Sequence, residues 1–228
     1  MNVIRAMRSL NFAVLMLTAS LAWAQGSYKV APATLPGSSD VPQAILSTLG
    51  AQGESFQNSS GTAICEVWFR KGIPVTKNAA SSADVIYGGL STGEWVGLIH
   101  FPAKTTDFRG QAVKPGYYTL RYAEIPQDGN HMGVSTYRDF LLMSPVAADT
   151  QIGQDLAFDA LIKLSRQTTG TGHPAILMVD PASQSSAATF PATVADDQGN
   201  WTLQVKLDTN GQPPQLPFAV VLVGQYQG

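Results

Sequence analysis

From Thr62 onward the chain alternates short apolar runs with breaks of Gly, Pro, Asn and Asp. The runs are rich in β-branched and aromatic residues, the pattern of strands joined by turns. Strands are expected at 62–70, 84–88, 94–101, 117–124, 138–144, 175–180, 189–195, 201–207 and 217–223. In the run from Tyr117 to Tyr122, Tyr118, Leu120 and Tyr122 share one face and Tyr117, Thr119 and Arg121 the other. In Trp201–Leu207 apolar and polar residues alternate without a break. Both runs predict a strand with one face in the core and one in water. The turns agree, since Lys114-Pro115-Gly116 and Asp197-Gln198-Gly199-Asn200 carry Pro and Gly where the chain must reverse.

One segment has the period of a helix. Between 154 and 166, Leu156, Ala160, Leu161 and Leu164 recur at helical spacing, with Asp155 and Asp159 early, Lys163 and Arg166 late, and Gly170 just beyond. A parallel sheet would need a helix at nearly every crossover, so one inserted helix among about nine strands predicts an all-β, antiparallel sandwich of immunoglobulin or transthyretin type. Residues 25–60 are small, polar and Pro-bearing (Pro32, Pro36, Pro42) and read as a loose arm with one helical turn near Ala44–Leu49, leaving 61–228 as the β domain.

The N-terminus has the three parts of a secretory signal. Arg5 and Arg8 precede an apolar run from Leu10 to Leu21, followed by Ala22-Trp23-Ala24. Cleavage is expected near Ala24, with a periplasmic or secreted product and no transmembrane segment in the mature chain, because the apolar run is shorter than the roughly 20 residues a spanning helix needs. Of the 14 Lys and Arg, Arg5 and Arg8 leave with the signal; the remaining 12 face 16 acids. Scattered basic residues within an acidic balance argue against nucleic acid as a partner. Cys65 is the sole cysteine, so no intramolecular disulfide forms and the core must supply the stability.

The motifs Glu66–Lys71 (EVWFRK), Phe108–Gln111 (FRGQ), Lys114–Tyr122 (KPGYYTLRY), Asp128–Ser135 (DGNHMGVS) and Arg138–Leu142 (RDFLL) span most of the mature chain. In them the chain resembles a group of exported bacterial proteins of unknown function. The resemblance implies a periplasmic or extracellular location and a β-rich fold, and carries over no activity. The Pro115–Leu120 stretch is also similar to the start of a strand in transthyretin-like and carboxypeptidase-regulatory sandwiches.

Chemistry-bearing residues concentrate in two connections. The segment 128–139 holds Asp128, His131, Met132, Arg138 and Asp139, and the turn at 107–109 holds Asp107 and Arg109. Loops held by a rigid β scaffold are where binding groups sit, so these six charged or imidazole residues are the candidate ligand surface. The alternative for them is structural: turn residues and ion pairs that pin the starts of strands. A copper or zinc site would draw on His131 with Met132 or His100, although no His-x-His or Cys-x-x-Cys spacing supports one. No cofactor is otherwise expected. A hydrolase would need a nucleophile or a carboxylate pair, and Gly-x-Ser-x-Gly is lacking, while Cys65 lies within an apolar strand. The leading expectation is an exported, non-catalytic β protein that binds an envelope protein or a small polar ligand. A surface-exposed aromatic platform at Trp95 or on the Tyr117 face would favour carbohydrate or peptide.

Overall fold

The computed structural model describes residues 27–76, 84–126, 137–154, 156–185 and 187–225. In chain order its elements are β1 (Lys29–Thr34), α1 (Gln43–Leu46), β2 (Gln52–Gln57), β3 (Ala63–Phe69), β4 (Trp95–Phe101), β5 (Thr105–Thr106), β6 (Ala112–Val113) and β7 (Gly116–Glu124). β8 (Asp139–Pro145), α2 (Phe158–Thr169), β9 (Ala175–Asp180), β10 (Ala192–Ala195), β11 (Trp201–Asp208) and β12 (Gln215–Val223) complete it. Ten strands join edge to edge in the order β1-β2-β3-β4-β7-β8-β9-β12-β11-β10, each neighbour antiparallel, with β5 and β6 forming a separate hairpin. The antiparallel all-β class with one substantial helix is therefore observed. The sheet is continuous and nearly closed on itself. Its two ends approach where the Tyr28 ring meets Trp201 edge-on at 5.2 Å and Thr193 Oγ1 donates to the Tyr28 carbonyl at 2.9 Å.

The period of two explains the core. Phe56, Cys65, Val67, Ile99, Leu120, Tyr122, Leu141, Leu177, Leu203, Val205 and Phe218 all turn to the inside of the curl and form one buried cluster. Each large side chain removed from water there stabilises the fold by about 1.5–3 kcal/mol. The segment at 84–88, expected as a strand, is instead a plug. Its Ile86 and Tyr87 N–H groups donate to the Asp139 carboxylate, each at 2.8 Å, so they are not offered to a neighbouring strand. The Tyr87 ring packs tilted at 43° against Phe218, with centroids 4.6 Å apart. Its hydroxyl donates to the Asp180 carbonyl and accepts from the Ala219 N–H. That hydroxyl sits where β9 and β12 share just two residue pairs, Ala219↔Asp180 and Val220↔Val179.

The outer face is covered in two places. α1 and its flanks pack Val41, Ile45 and Leu49 with Trp68, Trp95 and Leu98. α2 packs Leu161 on Phe140, Leu142 and Met178. The expected watery face of β7 is therefore dry beyond Tyr117: Thr119 and Arg121 are buried, the latter under the loop at 146–154.

Residues 27–60 are not a loose arm. They supply β1, α1 and β2 at one end of the sheet. Pro32 is tolerated because β1 is an edge strand. Gly53 is required by close approach, since a Cβ there would overlap the Trp68 ring. The helix also differs from its expected span, starting at Phe158 and ending at Thr169. Its buried face is Leu161, Ser165 and Thr168 rather than a purely apolar stripe, because the two hydroxyls satisfy strand carbonyls beneath them. Among the described residues no helix is long and apolar enough to cross a membrane.

Candidate functional site

The expected site residues fall into separate local networks. Asp107 is buried and accepts from the N–H groups of Arg109, Gln111 and Ile176 and from Gln111 Nε2, at 2.8–3.1 Å. These bonds dock the β5–β6 hairpin on the part of the β9 edge that β12 leaves uncovered, where Phe108 N–H also donates to the Ile176 carbonyl. Arg109 is exposed on the same turn. Asp139 is fully buried and accepts from Ile86 N–H, Tyr87 N–H and the Tyr122 hydroxyl. Burial, joined by the Asp139 carboxylate, drives the Tyr122 hydroxyl far above its ordinary range. Arg138 donates from Nε to the Ile125 carbonyl and from Nη2 to Glu124, and its Nη1 lies 3.8 Å from Asp84. The Asp107–Arg109 turn is held on Gln111 and β9, whereas Arg138 and Asp139 are held by Glu124, Ile125, Tyr122 and the segment at 84–87, so among the described residues these four stand in two separate networks. Asp128, His131 and Met132 lie outside the described residues.

His100 is placed differently. The register aligns Glu66 on β3, His100 on β4 and Tyr117 on β7 in one row across the outer face. His100 Nδ1 lies 3.0 Å from Glu66 Oε2, and its ring stacks on Tyr117 with centroids 4.2 Å apart and planes 16° apart. Trp68 borders the same Tyr ring at 6.5 Å. Among the described residues no group of three His, Cys, Asp or Glu side chains converges as a metal would require.

The Tyr117 ring also lines a groove of about 380 Å³. One wall is the turn into β7 and its start, Lys114 to Tyr118; the second is Pro145 at the end of β8 with Val146 and Ala147 just beyond; the third is the last turn of α2 and its cap, Gln167 to Gly170. The walls are tied together. Val146 N–H donates to the Tyr117 carbonyl, and the Tyr118 hydroxyl donates to the Lys114 carbonyl at 2.9 Å. The Ser165 hydroxyl lies 2.7 Å from the Met143 carbonyl and 3.0 Å from that of Ala175, and Thr168 Oγ1 donates to Met143, which anchors the helix on β8 and β9. Gly170 closes the helix in the left-handed region at φ 67°, its N–H on the Arg166 carbonyl, as expected of a glycine cap. Beyond it Thr171 donates to Gln111 Oε1, whose amide nitrogen bonds Asp107. Asp107 therefore serves the groove indirectly, by fixing the residue that holds the end of α2.

Burial, then the negative charges of Asp40 and Glu66, push the Tyr117 hydroxyl above its ordinary range, so it remains a proton donor at physiological pH. Trp95, the other expected platform, is 1 % exposed and donates from Nε1 to Thr48 Oγ1 inside the outer cluster. Of the groove residues, the sequence points to Tyr117 alone as a binding group; Lys114, Pro115, Gly116, Tyr118 and Gly170 read there only as turn, strand and helix-end residues, and Pro145, Val146 and Gln167 carry no signal until register and helix end are known. Compared with protein-family models, curated proteins and solved structures, the chain matches none.

Proposed function

We propose that this chain is an exported, non-catalytic binding protein whose ligand site is the groove between the start of β7, the end of β8 and the end of α2. The observation that carries this reading is Tyr117, a half-exposed ring locked by stacking on His100 and opening on a groove of about 380 Å³. That volume lies at the lower end of the roughly 300–1,000 Å³ range of small-ligand sites. A ring fixed before binding contributes contact area at little cost in conformational entropy. The two buried carboxylates favour binding over catalysis: Asp107 and Asp139 are occupied by backbone, side-chain amide and hydroxyl donors. Export rests on the Arg5 and Arg8, apolar run and Ala22-Trp23-Ala24 pattern at the N-terminus.

The test is the thermal unfolding midpoint of the purified protein against single amino acids, neutral and charged sugars, and short peptides, beside a Tyr117→Ala variant. A ligand present at 100 times its Kd stabilises the folded state by about 2.7 kcal/mol. A rise in midpoint that the variant loses supports the reading. A rise equal in both proteins, or none across the panel, overturns the groove as the site.

A further inference from the structure

The charges around the groove narrow the ligand class. The helix turns its C-terminal end toward the groove, so the carbonyls of its last turn present partial negative charge there. Glu66, 3.0 Å from the His100 ring that stacks on Tyr117, adds a negative charge behind that ring, which disfavours phosphates and carboxylates. Lys114, on the same wall three residues before Tyr117, disfavours an organic cation. What remains complementary is a neutral molecule. Its other requirements follow from the lining: an apolar face to lie against Tyr117 beside Pro145 and Val146, and several hydroxyls to meet the polar groups of Gln167, Tyr117 and Lys114. A pyranose ring has one face of C–H groups and a rim of hydroxyls, which is this combination.

We infer that the groove is a binding site for a neutral saccharide, stacked on Tyr117 and hydrogen-bonded to Gln167 and Lys114. The inference rests on the groove being a ligand site, as proposed above. A free sugar and the end of a neutral glycan chain share the chemistry.

The experiment is a ¹H–¹⁵N titration of the purified protein with glucose, N-acetylglucosamine, cellohexaose and maltohexaose. An oligogalacturonate and a proline-rich peptide serve as anionic and peptide arms. The expected result is that at least one neutral sugar shifts the amides of Tyr117, Tyr118, Val146 and Gln167–Gly170. Tyr117→Ala should weaken that binding about tenfold or more, and Gln167→Ala should weaken it while leaving the unfolding midpoint unchanged. Binding by the single sugars points to a free sugar, and binding by the hexamers alone to a chain. If the galacturonate or the peptide shifts these amides and the neutral sugars do not, the groove is a ligand site of another class and the saccharide assignment falls. Shifts at none of these amides with any probe overturn both readings.

Discussion

Replacing Asp149 by Asn tests the burial of the β7 outer face. Arg121 and Asp149 form a bidentate pair at 2.8 and 2.9 Å, with side chains 1 % and 0 % exposed. The remaining guanidinium hydrogens donate to the carbonyls of Gly93, Gln151 and Gln154 at 2.7–2.9 Å. One charged side chain thus holds the loop at 146–154 against β7. Asp149→Asn keeps the shape but leaves the guanidinium buried without its counter-charge, which costs about 3–5 kcal/mol. In a chain of this size each kcal/mol moves the midpoint by about 2–4 °C, so a fall of roughly 6–20 °C is expected in a thermal scan. Urea unfolding should show a lower midpoint at unchanged slope, since the surface exposed on unfolding is the same. The double variant Arg121→Met with Asp149→Leu removes both charges and should recover part of the loss, though the carbonyls of Gly93, Gln151 and Gln154 lose their donor. A midpoint for Asp149→Asn within about 2 °C of the parent, or a double variant no better than the single, would refute the argument that the pair is dry and mutually dependent.

Ser165→Ala strips a hydroxyl that bonds the Met143 and Ala175 carbonyls and accepts from Ala175 N–H, so a loss of about 1–3 kcal/mol is expected in urea unfolding. Cys65 is buried, and desolvation, helped by the Glu66 charge, raises its thiol far above the ordinary range. An alkylating reagent at pH 8 should therefore leave it unmodified until denaturant is added, as read by mass spectrometry. Glu54 is half-buried and its carboxyl is raised by desolvation, so the fold favours its protonated form. That contribution is present at acid pH and lost as pH rises through the folded pKa, because the charged form is disfavoured in the fold. Glu54→Gln should unfold at a higher temperature than the parent at pH 7, with the gap closing as pH falls through the carboxylate range. A gap independent of pH would exclude this cause.

Strands with clean alternation and a turn at each end were legible because the inner face of the curl is apolar throughout: β3, β4, β7, β8, β9, β11 and β12 all lie within a residue or two of their expected ranges. β1 and β2 were hidden because their buried outer positions are filled by Ala33, Gly53 and Ser55, residues with no apolar signal. Gly53 is small because Trp68, more than a dozen residues later, lies across it, so the reason for that residue is on another strand. The plug at 84–90 has strand composition, and a carboxylate at position 139 decides its backbone pairing.

The candidate site divides along the same line. Carboxylates in connections look like chemistry when judged by residue type, yet Asp107 and Asp139 each meet three or more donors and are closed to any further partner of size. Their identity follows from the donors they must satisfy, which is a property of the folded chain. Tyr117 has the opposite character. Within its strand it reads as the outward half of an alternating pair with Tyr118, and alternation says nothing of what stands beside it. Register does: it sets His100 against one side of the ring and β8 along the other, while Asp107, through Gln111 and Thr171, brings the end of α2 to close the groove. If this chain of supports is real, Asp107→Asn should weaken ligand binding at Tyr117 without touching the ligand. His100→Ala should do the same by freeing the ring. A Tyr117 site indifferent to both changes would mean that the ring acts alone, and the groove would then be a feature of the surface rather than a site built by the fold.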